Sequence, residues 1–259
     1  MEYTNIKLER ENAVATIRLN RPDALNALSL ALLQEFSAAV VEVRDDQSIK
    51  ALVVRGEGRA FCSGADLISM DESFADQSRL SRYLDQGNAC FFQLEELPVP
   101  VIALVHGFVL AGGLELMLAC DMTIAAEDAR IGDQHANFGL MPGGGSTQRL
   151  PRRVGLQRAM DLLTTGRWIS GAEAADWGLA LRAVPVAELD QELEAILETL
   201  RGKSRAGLSL IKSVTQQGQS LSLVDGLALE GKAFVQLFAT SDHPREGIAA
   251  FKEKRQASF

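Results

Sequence analysis

Cysteine is scarce in this chain: Cys62, Cys90 and Cys120 are three among 259 residues. They form no CxxC pair and no metal-ligand spacing, which excludes a disulfide framework and a zinc ribbon. They read as buried apolar residues in a reducing compartment. No apolar run approaches the ~18 residues that a bilayer span requires. The first residues, MEYTNIKLER, are polar and lack the apolar centre of a secretory signal. A cytoplasmic protein with no membrane partner is therefore expected. The sequence also has no tandem repeat, no low-complexity tract and no sharp linker. It lacks a basic stripe interleaved with aromatics, and its net charge is −8, so nucleic acid is not the expected partner. A local basic patch for a phosphorylated ligand stays compatible with that total.

What is present is a core. Apolar residues make up 47% of the chain and charged residues 23%, the balance of a folded domain rather than a disordered segment. Residues 4–19 read as two strands about a turn at Arg10-Glu11-Asn12, with Ala15, Ile17 and Leu19 on one face. Ser29 is an N-cap for a helix whose stripe is Leu33, Phe36, Val40 and Val43. Residues 50–54 are a short buried strand. The stretch 71–79 is polar and read as mobile. A helical stripe then runs from Leu80 through Tyr83, Leu84, Gly87, Cys90, Phe91 and Leu94 to Leu97, ended by Pro98.

Residues 98–121, PVPVIALVHGFVLAGGLELMLACD, are the centre of the chain. Val101 to Val105 is an apolar run bounded by breakers, the pattern of a strand buried on both faces. Ala111-Gly112-Gly113 leads into a helix, and Glu115 falls in its first turn, the single ionised group among apolar neighbours. Glycines there open the N–H donors of a helix start to close approach. Residues 121–126 form another strand. The chain beyond Pro151 reads as mainly helical: Ser170 and Glu173 form a capping box, 181–184 a last strand, and 187–201, 204–217, 222–239 and 244–255 helices. These patterns predict an α/β core over 1–185 and a helical region over 186–259.

Two glycine-rich stretches fail the motifs they suggest at first sight. In 56–67, Phe61 occupies the place of the third glycine of GxGxxG, and the same residue spoils a GxSxG nucleophile elbow at Ser63. Gly143-Gly144-Gly145-Ser146 lacks the Gly-Lys-Ser/Thr ending of a P-loop.

Taken together, however, FCSGADL (61–67), HGFVLAGGLEL (106–116), PGGGSTQRLP (142–151) and RPDALNA (21–27) resemble the enoyl-CoA hydratase/isomerase (crotonase) family, as does the ending Phe251-Lys252-Glu253-Lys254-Arg255. The resemblance implies a spiral of ββα units with a helical C-terminal trimerisation region, and trimers that often pair into hexamers. It implies an acyl-CoA substrate, with coenzyme A as part of that substrate, no tightly bound cofactor and no metal. The family stabilises a thioester enolate with two backbone N–H groups, at Ala65 and Gly112 by position; losing one such donor costs on the order of 3 kcal/mol. Coenzyme A contacts fall by position on Ala24, Leu25, Ser63, Asp66 and Leu67. Phe251 and Lys254 reach the ligand from a neighbouring subunit. Residues 69–79 are expected to wall the acyl pocket.

The family's hydratases add water to a 2-enoyl-CoA with two glutamates. Glu115 matches the first. Counting back from Met141-Pro142-Gly143 puts the second at 135, where this chain has His135. An imidazole exchanges protons near neutral pH and can stand in for the acid, or simply fill its space. Asp133, two residues before His135, would point the same way along a strand and is a weaker candidate, read rather as a turn or surface residue. His106 reads as a partner of local backbone, Asp121 as structural, and residues 143–145 as a turn without chemistry. Hydration of a 2-enoyl-CoA is the leading expectation. The alternatives are double-bond isomerisation with Glu115 as sole base, thioester hydrolysis or decarboxylation in the same oxyanion hole, and, from another class, a binding or scaffold protein.

Overall fold

The computed structural model describes residues 3–67 and 76–259. Among the described residues, ten strands form two sheets. The first has six strands in the order β1-β2-β3-β5-β7-β10: β1 (Ile6–Glu11), β2 (Val14–Leu19), β3 (Ala51–Gly56), β5 (Val101–Val105), β7 (Met122–Ala126) and β10 (Arg182–Val184). The second has four in the order β4-β6-β8-β9: β4 (Ala60–Cys62), β6 (Phe108–Leu110), β8 (Arg130–Gly132) and β9 (Ile169–Ser170). Apart from the β1–β2 hairpin, every pairing in the first sheet is parallel.

The two sheets explain the repeat. Strand β3 lies in the first sheet and β4 in the second; β5 and β6 divide in the same way, as do β7 and β8. Helix α2 (Gln77–Glu96) follows the first pair and α3 (Gly112–Leu118) the second. These are the ββα units that the family resemblance implied. Strands β4, β6, β8 and β9, two or three residues each, are too short for alternation to announce them, and the second sheet was not foreseen.

Strand and helix identities follow from burial. The residues of β5 are all buried, as a strand covered on both faces requires. Helix α1 (Leu30–Asp45) starts at Ser29, whose Oγ accepts from the Leu32 N–H, and it buries Leu33, Phe36, Val40 and Val43 as expected. Helix α2 begins earlier than its stripe suggested. Asp76 accepts from the Ser78 and Arg79 N–H groups, so 77–79 are a capped helical turn rather than a mobile loop. The remainder of that loop, and of the expected pocket wall at 69–79, lies outside the described residues.

Further along, α4 (Ser146–Val154) contains Pro151, so the PGGGSTQRLP run is half turn and half helix. After α5 (Leu156–Thr165) and the Ser170-capped α6 (Gly171–Asp176) come α7 (Leu189–Arg201), α8 (Arg205–Gly218), α9 (Leu223–Thr240) and α10 (His243–Glu253). Leu189, Leu193 and Leu197 of α7 pack into the same core as the first sheet. Lys212 of α8 ties the helical region to the core: its buried Nζ pairs with Asp121 at 2.8 Å and donates to the carbonyls of Leu94 and Val99. Asp121 is thus structural, as expected.

Candidate active site

The crossing from the first sheet to the second sets the site. Gly107 turns the chain between β5 and β6 with φ +57°, and a Cβ there would lie 2.1 Å from the Arg59 carbonyl oxygen. Only glycine fits. His106 beside it bonds through Nε2 to the Gly58 carbonyl at 2.8 Å, so it serves local backbone. Strand β6 ends at Leu110, and the next residue, Ala111, holds φ 50° and ψ −117°, a strained conformation for a residue with a Cβ. This kink turns the chain into α3.

Residues 63–67 approach from the other side. Gly64 has φ +105°, and a Cβ on it would be 2.9 Å from that of Ala111 and 3.2 Å from the Gly112 nitrogen. The loop is bolted down by backbone: the Leu28 N–H donates to the Gly64 carbonyl and the Asp66 N–H to that of Leu28. The bonds fall on either side of Ala65 and leave its own N–H free of acceptors among the described residues, as is the N–H of Gly112 at the start of α3. Both residues line one cavity of about 880 Å³.

Glu115 lines the same cavity and is 4% exposed. Its Oε1 accepts from the Gly144 N–H at 2.8 Å and the Ser146 N–H at 3.1 Å. Burial pushes its pKa above the ordinary carboxylate value, against the lowering pull of those N–H groups and of His135. The glycine run therefore has a chemical task, contrary to its reading as a mere turn. A Cβ at Gly144 would sit 2.6 Å from Glu115 Oε2 and 2.7 Å from the Phe91 ring. Arg149 braces the run by donating to the Gly144 carbonyl while paired with Glu95.

His135 opens a 3₁₀ turn, His135–Phe138, and lines the same cavity. Asp133, expected at a turn or the surface, is wholly buried instead. Its Oδ1 lies 2.8 Å from His135 Nδ1 and accepts the His135 backbone N–H at 3.2 Å. Strand β8 ends at Gly132, so 133 and 135 do not alternate along a strand; the tightening chain brings their side chains together. Burial lowers the His135 pKa, but the bond and charge of Asp133, with the charge of Glu115, outweigh it and hold the imidazole above its ordinary value.

Other expected residues divide. Ala24, Ser63, Asp66 and Leu67 line the cavity. Leu25 does not; it takes the left-handed conformation at φ 51° that turns the loop. Asp66 forms an ion pair with Arg21 at 2.8 Å. Phe251 is 84% exposed on α10 and, like Lys254, is not part of the cavity. Sequence reasoning passed over Asn26, which is fully buried and donates to the carbonyls of Glu57 and Ala60, anchoring the 21–27 loop. It also passed over Tyr83, whose hydroxyl donates to the Leu28 carbonyl at the cavity wall.

The thiols offer no nucleophile: burial pushes Cys62 up to about 12 and Cys90 up to about 11. Among the described residues no group of three His, Cys, Asp or Glu side chains is placed to hold a metal ion. No helix among them is long and apolar enough to cross a membrane.

This geometry can be set beside known proteins. The chain is 39% identical over 260 residues to a probable enoyl-CoA hydratase (echA8) of Mycobacterium tuberculosis, covering 100% of this chain and 99% of the relative. It is likewise 39% identical, with the same coverage, to a crotonyl-CoA hydratase of Syntrophomonas wolfei. The crystal structure of an enoyl-CoA hydratase from Bacillus anthracis superposes with a TM-score of 0.93 at 36% identity, covering 99% of each chain. A model of the enoyl-CoA hydratase/isomerase family matches residues 9–259. With the two interleaved sheets and the paired N–H groups beside Glu115, this match over nearly the whole length places the chain in the enoyl-CoA hydratase/isomerase family, with the crotonase fold.

Proposed function

We propose that this protein adds water to a 2-enoyl-CoA, giving a 3-hydroxyacyl-CoA. The observation that carries this reading is the pair of N–H groups at Ala65 and Gly112, free of acceptors, in one apolar cavity with a buried, backbone-held Glu115. The relatives named as hydratases support it.

The thioester oxygen accepts from the Ala65 and Gly112 N–H groups, which draws electron density from the β-carbon. Donors fixed in place before reaction need no reorganisation as the oxyanion forms. Glu115 takes a proton from the attacking water as its oxygen bonds to the β-carbon. His135 gives a proton to the α-carbon as the enolate collapses, and proton exchange with solvent restores both groups. Positioning of water and alkene contributes alongside the proton transfers.

Coenzyme A, part of the substrate rather than a bound cofactor, lies along Ala24, Ser63, Asp66 and Leu67, with Leu25 turning the loop beside them. Residues 1–185 supply the catalytic core. Residues 186–259 supply the surface on which copies of the chain assemble as trimers or hexamers, bringing Phe251 and Lys254 to a neighbour's coenzyme. The exposure of Leu223, Val224, Leu227, Phe234, Val235 and Phe251 supports such a surface.

A second reading is favoured by His135 in place of a second glutamate: an isomerase that moves a proton between carbons with Glu115 alone. The test is loss of conjugated thioester absorbance from a short 2-enoyl-CoA, with the protein and with Glu115→Gln. Hydration is expected, with the variant slower by about 10²–10⁴-fold. Turnover unchanged in the variant would remove Glu115 as the base. An inert 2-enoyl-CoA together with absorbance gained from a 3-enoyl-CoA would replace hydration by isomerisation. Failure to bind any acyl-CoA would favour a scaffold.

A further inference from the structure

We infer that Asp133 is the positioning residue of a His–Asp pair, fixing the His135 ring so that its Nε2 serves as the proton donor to the substrate α-carbon. The inference rests on the hydratase reading for the reaction, and on geometry alone for the pair.

A carboxylate can only accept, so the 2.8 Å contact puts a hydrogen on His135 Nδ1. Nδ1 is thereby committed, and Nε2 is the ring nitrogen left for the cavity that His135 lines; among the described residues it has no hydrogen-bond partner. Oδ1 of Asp133 also accepts the His135 backbone N–H, which fixes the ring's starting point as well as its tilt. The other oxygen, Oδ2, is buried without a partner among the described residues. A carboxylate so far from water and so thinly bonded is tolerable only opposite a cation. That cation is the imidazolium, the form in which Nε2 carries a proton to give.

The charged groups acting on the imidazole are Asp133, from its own segment, and Glu115, from α3. On the side of α5, Gln134 and Asn137 bond the Gly166 carbonyl and bring no charge. Both acting groups are acids, and both favour the protonated ring. A purely structural Asp133, capping the 3₁₀ turn through the backbone N–H, would still act on the ring's titration but would leave the pH profile of turnover alone.

The test is Asp133→Asn, which keeps an acceptor for Nδ1–H and removes the charge. Imidazole NMR needs no substrate, and the chain has three histidines, so His135→Gln assigns the signal. In the variant the His135 midpoint moves to lower pH. The loss in kcat/KM on a 2-enoyl-CoA is then more than about tenfold at pH 8 and under about threefold at pH 6, because only the protonated ring donates.

An unmoved midpoint, or a loss equal at both pH values, overturns the inference. If Asp133→Asn does not fold, the unaltered protein still decides: a His135 midpoint at or below about 6.5, the ordinary value, overturns the pair. Absence of hydratase activity with a shifted midpoint would sink the reaction and keep the pair.

Discussion

Glu115 and Asp133 are both carboxylates withdrawn from solvent, and they are held in opposite ways. Glu115 accepts two backbone N–H groups on one oxygen, is walled by Gly144 and Phe91, and faces the cavity. Asp133 has no access to solvent, grips one imidazole and one N–H through Oδ1, and leaves Oδ2 without a partner. Backbone donors fix a carboxylate without supplying a titrating charge, which suits a group that must itself gain and lose a proton. A side-chain cation as sole charged partner makes the second carboxylate's worth depend on His135. On the proposed reading, the first acid does chemistry and the second directs it through its neighbour.

That contrast can be broken most severely at Gly144. In Gly144→Ala the new Cβ meets Glu115 Oε2 and the Phe91 ring at under 3 Å, so the carboxylate must move. Displacement on the scale of an ångström costs about 10²-fold in kcat, with overpacking of about 1–3 kcal/mol in a urea melt. An Ala variant with full activity would show that Glu115 does not need this wall.

The acid limb of the pH profile sharpens the comparison next. Glu115 must be ionised to accept a proton, so activity falls as pH falls through its pKa. Burial raises that pKa, so the limb in kcat/KM should lie above the ordinary carboxylate value of about 4.3. A limb at or below that value would mean the two N–H donors outweigh burial.

The smallest effect is expected at Ser146. Its N–H holds Glu115, while its Oγ is buried with no partner among the described residues. Ser146→Ala keeps the N–H and removes an unsatisfied group, so kcat/KM should stay within about twofold and Tm should not fall. A tenfold loss would return the hydroxyl to the site.

The helix start and its glutamate were legible because they are local, whereas Ala65 and His135 came from the family resemblance. Glycine at 112 and 113 before an apolar helix, and a single glutamate in its first turn, announce a helix start open to a ligand. Glu115, Gly112, Ala65 and His135 indeed line one cavity. Asp133 was read as a turn or surface residue because an aspartate beside glycine favours both; its burial against His135, past the end of β8 at Gly132, is set by packing. Gly144 was read as a turn because nothing within the run itself shows that Glu115, 29 positions away along the chain, accepts its N–H. The second sheet was missed because strands of two or three residues carry no period.

The sequence by itself determined the buried parallel strands, the capped helices, the places where only glycine can turn, and the substitution of His135 for an expected acid. The first three follow from spacing, side-chain shape and backbone freedom over a few residues, and the last from the family resemblance. Only the tertiary structure decided that Asp133 is buried against His135, that the Gly144 and Ser146 N–H groups hold Glu115, and that Ala65 and Gly112 share one cavity. Each of those brings together segments whose distances and solvent exposure are set by packing, and burial and charge proximity, not residue type, fix what a carboxylate or an imidazole can do.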